Sequence, residues 1–234
     1  MIVKLAPRVI LYEGGSIPPS VSDGCLALPQ IASRGLLHAV FGDGSHPTTR
    51  LCGAALDQLC LTLKPQAVLD VGTGTGVLAR IARARGASFV VGTDIDPAAL
   101  ESAAAHAALD SATTAGGPRT AASAPGDFTP RSAATPHRAT TTRRAAAIEF
   151  AAAPPDAWGP RFDIVVANIL ERPLLDMAPQ LAAAMRPASL LLLSGFTRPQ
   201  SPALKVRFTR AGLSLAAESF LEDWVLLHFA SPRS

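Results

Sequence analysis

This 234-residue sequence predicts an α/β fold: a seven-stranded, mostly parallel sheet with helices on both faces and an antiparallel last strand. Three observations carry the prediction. Short, continuous apolar runs alternate with helix-length segments from about residue 64 onward, the pattern of parallel strands covered on both faces. The first of these runs empties into alternating glycines, residues 68–77 reading VLDVGTGTGV, which marks a strand–turn–helix junction. The last two runs are joined only around Glu222 and Asp223, too short a link for a crossover helix, so they pair antiparallel.

The elements follow in order. Residues 41–49 (FGDGSHPTT) form a loop, and an amphipathic helix follows over about 50–63. Residues 67–71 are a strand, the glycine loop feeds a helix over 77–85, and 89–93 form the second strand. Pro97 in a first helical turn, with Asp96 available as the cap, starts a helix to about Leu109. Residues 111–146 are rich in Thr, Ala, Pro, Ser and Arg with almost no large apolar side chain, and read as a flexible low-complexity insertion. An arginine-bearing arm that contacts RNA is the functional alternative for that stretch. A short strand at 147–151 precedes the strongly apolar strand 162–167 (FDIVVA), which ends at Asn168. A helix over 173–185, a buried strand at 189–194, a helix over 203–211 and strands at 215–220 and 225–229 complete the set. The main domain is thus 41–234, preceded by a short segment, 1–40, with a turn-rich break at 14–19 (GGSIPP).

Composition bounds the function. Hydrophobic residues make up 48% of the chain, ample for a buried core, and the mean hydropathy of +0.27 excludes wholesale disorder. A net charge of +3 from scattered arginines calls for no specific nucleic-acid partner. Cys25, Cys52 and Cys60 are odd in number and form no C-x-x-C pair, which reads as reduced thiols with neither a disulfide framework nor a metal site. No apolar stretch approaches the ~20 residues that span a bilayer. Lys4 and Arg8 fall inside any signal-like core, so the expectation is a cytoplasmic protein without a membrane partner.

The chemistry centres on residues 68–77 and 93–97 (TDIDP). Gly72, Gly74 and Gly76 let the backbone approach a ligand, and Asp94, ending the next strand, is placed to accept from two ribose hydroxyls, with Ile95 beside it. The dinucleotide fingerprint is G-x-G-x-x-G facing a pyrophosphate. Here the spacing is G-x-G-x-G, and Asp70 precedes it by two residues. A carboxylate there repels pyrophosphate but accepts from a cationic amino group. S-adenosylmethionine, with an adenosine, a sulfonium, an ammonium and no phosphate, suits this set; a nicotinamide cofactor does not.

Residues 41–49, the glycine loop, residues 93–97, residues 167–170 (ANIL) and the run 193–196 (LSGF) with Gln200 together resemble the PrmA-type methyltransferases, which act on a protein of the ribosomal stalk. The resemblance covers roughly 41–110 and 147–229. It implies a class I, Rossmann-like methyltransferase fold and a protein substrate, possibly ribosomal, methylated on lysine or N-terminal amines. It implies that Thr49 and Gly72 contact the cofactor near its methionine part, that Asp94 holds the ribose, and that Asn168 lies beside the transferred methyl. His46 has two readings, proton transfer or seating of the substrate amine on one side and fixing of its loop on the other, the second favoured.

Three departures from the family pattern stand out. The segment before the FGDGSHPTT loop is short beside the family's substrate-recognition domain. Asp43 and Ser45 stand where threonines are usual. Residues 151–155 lack the acid that often holds the adenine amino group, which leaves adenine to backbone groups, apolar walls or Asp156. A small-molecule amine acceptor, or a non-catalytic cofactor-binding domain, are the alternative functions.

Overall fold

The computed structural model describes residues 2–14, 21–31, 41–114 and 147–233. The expected break at 15–19 and residues 115–146 of the expected insertion lie outside them, as do His38 and His137.

A seven-stranded sheet forms the body. Its strands are β4 (Ala67–Val71), β5 (Phe89–Thr93), β6 (Glu149–Ala151), β7 (Phe162–Asn168), β8 (Met185–Thr197), β9 (Ser214–Leu221) and β10 (Trp224–Ala230). They lie in the order β6-β5-β4-β7-β8-β10-β9. The first five run parallel, and β10 is antiparallel to both neighbours. Glu222, with φ 57°, turns the closing hairpin.

Alternation along β4 shows how the sheet divides two cores. Ala67, Leu69 and Val71 face one side, where α4 (Glu171–Ala184) and α5 (Ser201–Arg210) supply Leu174, Leu181, Leu204 and Phe208. Val68 faces the other side, against α1 (Pro47–Leu63) and α2 (Val77–Ala84). Asp70 shares Val68's side by the period of two, so it is carried into the α1/α2 layer and away from water.

Several boundaries differ from the sequence expectation. The helix expected to stop near Leu109 is α3 (Pro97–Thr114), because no glycine or proline interrupts the Ala/Ser/Thr run before Gly116. Asp96 caps it as expected, its carboxylate accepting from the Ala98 backbone N–H at 2.9 Å. The helix expected over 173–185 starts and ends earlier, since Met185 already pairs with Phe162 as the first residue of β8.

The N-terminal segment is more structured than expected. β1 (Ile2–Ala6), β2 (Val9–Glu13) and β3 (Leu26–Gln30) form a second, three-stranded sheet. Leu5, Val9, Leu11 and Leu28 pack on Leu56 and Cys60 of α1, within the same core as Val68 and Ile81. Polar latches reinforce this contact. Buried Asp57 of α1 accepts from Arg8 Nε at 3.2 Å and Arg85 Nε at 2.6 Å. Fully buried Arg80 of α2 donates to the Pro29 carbonyl at 2.5 Å and to both oxygens of Asp110 on α3 at 2.7 and 2.8 Å.

Candidate functional site

The order of strands reverses around β4, and open α/β sheets bind ligands beyond the carboxyl ends of the strands at such a point. A cavity of about 1120 Å³ opens there, between the loops after β4, β5, β6 and β7 and the start of α1. Ile95 (98% exposed), Leu170 (72%) and Phe41 all line it. Large apolar side chains left open around one concavity mark a place where a ligand covers them.

The glycine loop forms the floor. Gly72 and Thr73 donate their backbone N–H groups to the Thr93 carbonyl at 2.8 and 2.9 Å, which ties the loop to the end of β5. Gly74 (φ 53°) lies so close to residue 41 that a Cβ would stand 2.2 Å from the Phe41 carbonyl oxygen. Thr75 completes the contact: its N–H donates to the Phe41 carbonyl at 3.0 Å and its hydroxyl to the Gly42 carbonyl at 2.7 Å. The two motifs, far apart in sequence, are thereby locked into one wall.

Asp94 stands at the tip of β5 on the cavity lining. One carboxylate oxygen accepts from the Gly74 N–H at 3.0 Å and the other from the Asp96 N–H at 3.1 Å, so backbone donors fix its orientation. Across the floor, Asn168 at the tip of β7 is 8% exposed. Its amide Nδ2 donates to the Thr49 hydroxyl at 3.4 Å, and its Oδ1 has no partner among the described residues.

The sequence-predicted residues divide into two sets. His46, Gly72, Gly74, Asp94, Ile95 and Asn168 line the cavity; Thr49, Asp70 and Gly76 do not. Thr49 is buried on α1 behind Asn168. Gly76 faces α3, where a Cβ would meet that of Ala103 at 3.0 Å. Asp70 sits beneath the loop: one oxygen accepts from the Thr73 hydroxyl at 2.7 Å and the Ala79 N–H at 3.2 Å, and the other is buried without a partner among the described residues. Burial pushes its carboxyl up to about 6, against the lowering effect of those two hydrogen bonds and with a small further rise from Asp94.

His46 is the N-cap of α1. Its Nδ1 accepts from the Thr48 N–H at 3.3 Å and lies 2.7 Å from the Thr48 hydroxyl. With Nδ1 accepting, the neutral ring carries its proton on Nε2 and has no lone pair for a substrate proton. Phe41 and Trp224 flank the ring edge-on, at centroid distances of 5.2 and 4.6 Å. Asp43 and Ser45, which depart from the family pattern, pair with each other at 2.7 and 2.9 Å and do not line the cavity.

Leu170, which ends the 167–170 motif, lines the cavity; sequence reasoning missed Trp224 and the wall given by Met177 and Gln180 of α4, which line it too. No pattern singles them out, because each belongs to a strand or helix whose other face is ordinary core. Asp156 is exposed on the turn Pro155–Trp158 and is absent from the lining. Among the described residues no cluster of potential metal ligands occurs, and no helix is long and apolar enough to cross a membrane.

The sequence pattern of the ribosomal protein L11 methyltransferase (PrmA) family matches residues 38–120 and 136–232. The chain is 36% identical over 187 residues to the ribosomal protein L11 methyltransferase of Geobacter sulfurreducens. It is 38% identical over 190 residues to that of Burkholderia vietnamiensis. Each match covers 80% of this chain and 50% of the relative, so the chain spans about half the length of the curated relatives it matches. Its fold is that of the ribosomal protein L11 methylase from Lactobacillus delbrueckii subsp. bulgaricus, with a TM-score of 0.73, 24% identity, and coverage of 99% of this chain and 98% of the other. On the extent of these matches the chain belongs to the ribosomal protein L11 methyltransferase (PrmA) family.

Proposed function

We propose that this chain is a cytoplasmic, S-adenosylmethionine-dependent N-methyltransferase acting on a lysine or N-terminal amine of a ribosomal protein. The single observation that carries the choice of cofactor is the charge of the cavity. Asp94, Asp96 and Asp176 line it, and among the described residues no lysine or arginine does. A pyrophosphate there would lack a counter-charge and face like charge, whereas a sulfonium and an ammonium are matched. The unpartnered Oδ1 of Asn168, on the cavity lining, fits an amine donor arriving at that floor. The acceptor is inferred from the family: the relatives bear the name ribosomal protein L11 methyltransferase. Residues 41–234 are read as the catalytic unit and 1–40 as its accessory.

When bound, the cofactor supplies a methyl group already activated for in-line displacement. What the chain adds is position. Asp94 would hold the ribose, Ile95 would cover the purine, and Gly72 and Gly74 would pass under the methionine part. Asn168, fixed through Thr49, would accept from the substrate amine with Oδ1 and aim its lone pair. Such alignment is worth roughly 7–11 kcal/mol of barrier. A lysine amine, with an ordinary pKa of about 10.4, must lose a proton first, and a dry apolar mouth beside a cation favours the neutral form. His46 is assigned to fixing the loop, not to proton transfer.

Titration calorimetry with S-adenosylmethionine, S-adenosylhomocysteine and NAD tests the cofactor: the first two should bind and NAD should not. Transfer of labelled methyl into ribosomal protein, against a panel of small amines, tests the acceptor. Label in the small amines alone would overturn the protein-acceptor reading.

A further inference from the structure

We infer that Gln180 reads the exocyclic amino group of the purine. The inference rests on the cofactor reading above and assigns the specificity that the side chains of residues 151–155 do not supply. With the ribose at Asp94 and one purine face on Ile95, the base extends toward Ala152, Ala153 and Pro154, none of which has a polar side chain. The opposite wall is α4, which packs on the turn Pro155–Trp158 and places Met177 and Gln180 on the lining.

Gln180 Oε1 is buried and has no hydrogen-bond partner among the described residues. A carbonyl shut away from water without a donor is costly, and such groups are rare unless a ligand completes them. The last torsion of a glutamine is broad and roughly two-fold, so this oxygen can shift within its well or exchange places with Nε2. The other acceptor on that wall, Asp176, is open to water and has one oxygen 3.2 Å from Arg172 Nε, so unlike Gln180 Oε1 it is not shut away without a donor. An adenine amino group offers the missing N–H; a purine without it leaves the oxygen unanswered.

The test compares calorimetric affinities for S-adenosylhomocysteine and its 6-deamino analogue, in which hydrogen replaces the amino group. The unmodified protein should prefer S-adenosylhomocysteine by about tenfold. Gln180→Met, close in shape, should shrink that preference below about threefold by weakening S-adenosylhomocysteine alone, while Gln180→Glu, which keeps an acceptor, should retain it. No preference in the unmodified protein overturns the inference without recourse to any variant. An unchanged preference in Gln180→Met, or in Gln180→Ala should the first not fold, also overturns it and leaves the cofactor reading standing. Failure of the unmodified protein to bind either compound sinks the cofactor reading itself.

Discussion

Asn168 and Asp70 show how one residue type of demand, a buried acceptor, can serve two ends. Asn168 borders the cavity with a free carbonyl oxygen, so its removal should act on the reacting amine more than on cofactor binding. Asn168→Ala is expected to lower turnover about 100-fold while S-adenosylhomocysteine affinity falls less than about fivefold. Steady-state rates set beside calorimetry check this, and parallel losses would move Asn168 into the cofactor site proper. Asp70 acts from behind the loop. Its carboxyl is raised from an ordinary 3.8 to about 6, so between those values the folded chain holds a proton that the unfolded chain has released. The stability from this group is complete below about pH 4 and is lost as pH rises through about 6. Asp70→Asn cannot titrate. The native protein should therefore lose up to about 3 kcal/mol relative to the variant between pH 4 and pH 8, as read by urea unfolding at each pH. At this scale the sequence was legible where chemistry demands a residue type at a strand end: Asp94, Gly72 and Asn168 all fall on the cavity. It did not tell wall from support. Asp70 and Thr49 are separated from the lining by side-chain direction, which depends on which face each element turns inward. His46 likewise carries the same imidazole whether it caps a helix or moves a proton, and only its bond to the Thr48 N–H decides.

Among elements, the strands buried on both faces were legible because a continuous apolar run bounded by turns admits little else in an alternating α/β chain. Ends were less so. Met185 belongs to a strand because it pairs across the sheet with Phe162, a long-range contact that no local propensity encodes. The N-terminal strands went unread for a similar reason. Residues 9–12 (VILY) favour a strand, but Pro29 argues against one in residues 26–30. β3 tolerates that proline because it pairs only with β2 and forms an edge. Beside its apolar contact with α1, two polar latches, at Asp57 and Arg80, hold this small sheet to the helices. Asp57 accepts from Arg85, which is itself nearly buried, and from Arg8, whose side chain is 41% exposed. Asp57→Ala strands the Arg85 guanidinium in the interior and should cost about 3–5 kcal/mol. Arg8→Ala removes a screened partner and should cost under about 1 kcal/mol. Chemical denaturation of both variants distinguishes a buried latch from a surface contact: equal effects would contradict it.

For the whole molecule, the division expected at residue 41 and the physical division do not coincide. Leu5, Val9, Leu11 and Leu28 share a core with α1, α2 and the sheet, so the N-terminal segment covers the helix that carries Thr49 and, at its cap, His46. The fold thus couples the N-terminal sheet to the cavity through α1: a shift of that helix moves Thr49, and with it the hydrogen bond that orients Asn168. Removing residues 1–40 would bare the apolar face of α1 around Leu56 and Cys60 and leave Asp57 and Arg80 short of partners. Burial of apolar surface is worth about 25 cal/mol per Å², and four large side chains lost together amount to roughly 6–12 kcal/mol, comparable to the whole stability of a domain. A chain beginning at Phe41 is therefore expected to be recovered as aggregate or as a loosely packed state that binds the dye ANS, with S-adenosylhomocysteine unable to raise its melting temperature. In the intact protein a ligand at a hundred times its dissociation constant adds about 2.7 kcal/mol, a rise of several degrees. Should the shortened chain melt cooperatively and respond to S-adenosylhomocysteine as the intact one does, the N-terminal sheet is an appendage and the coupling through α1 does not exist.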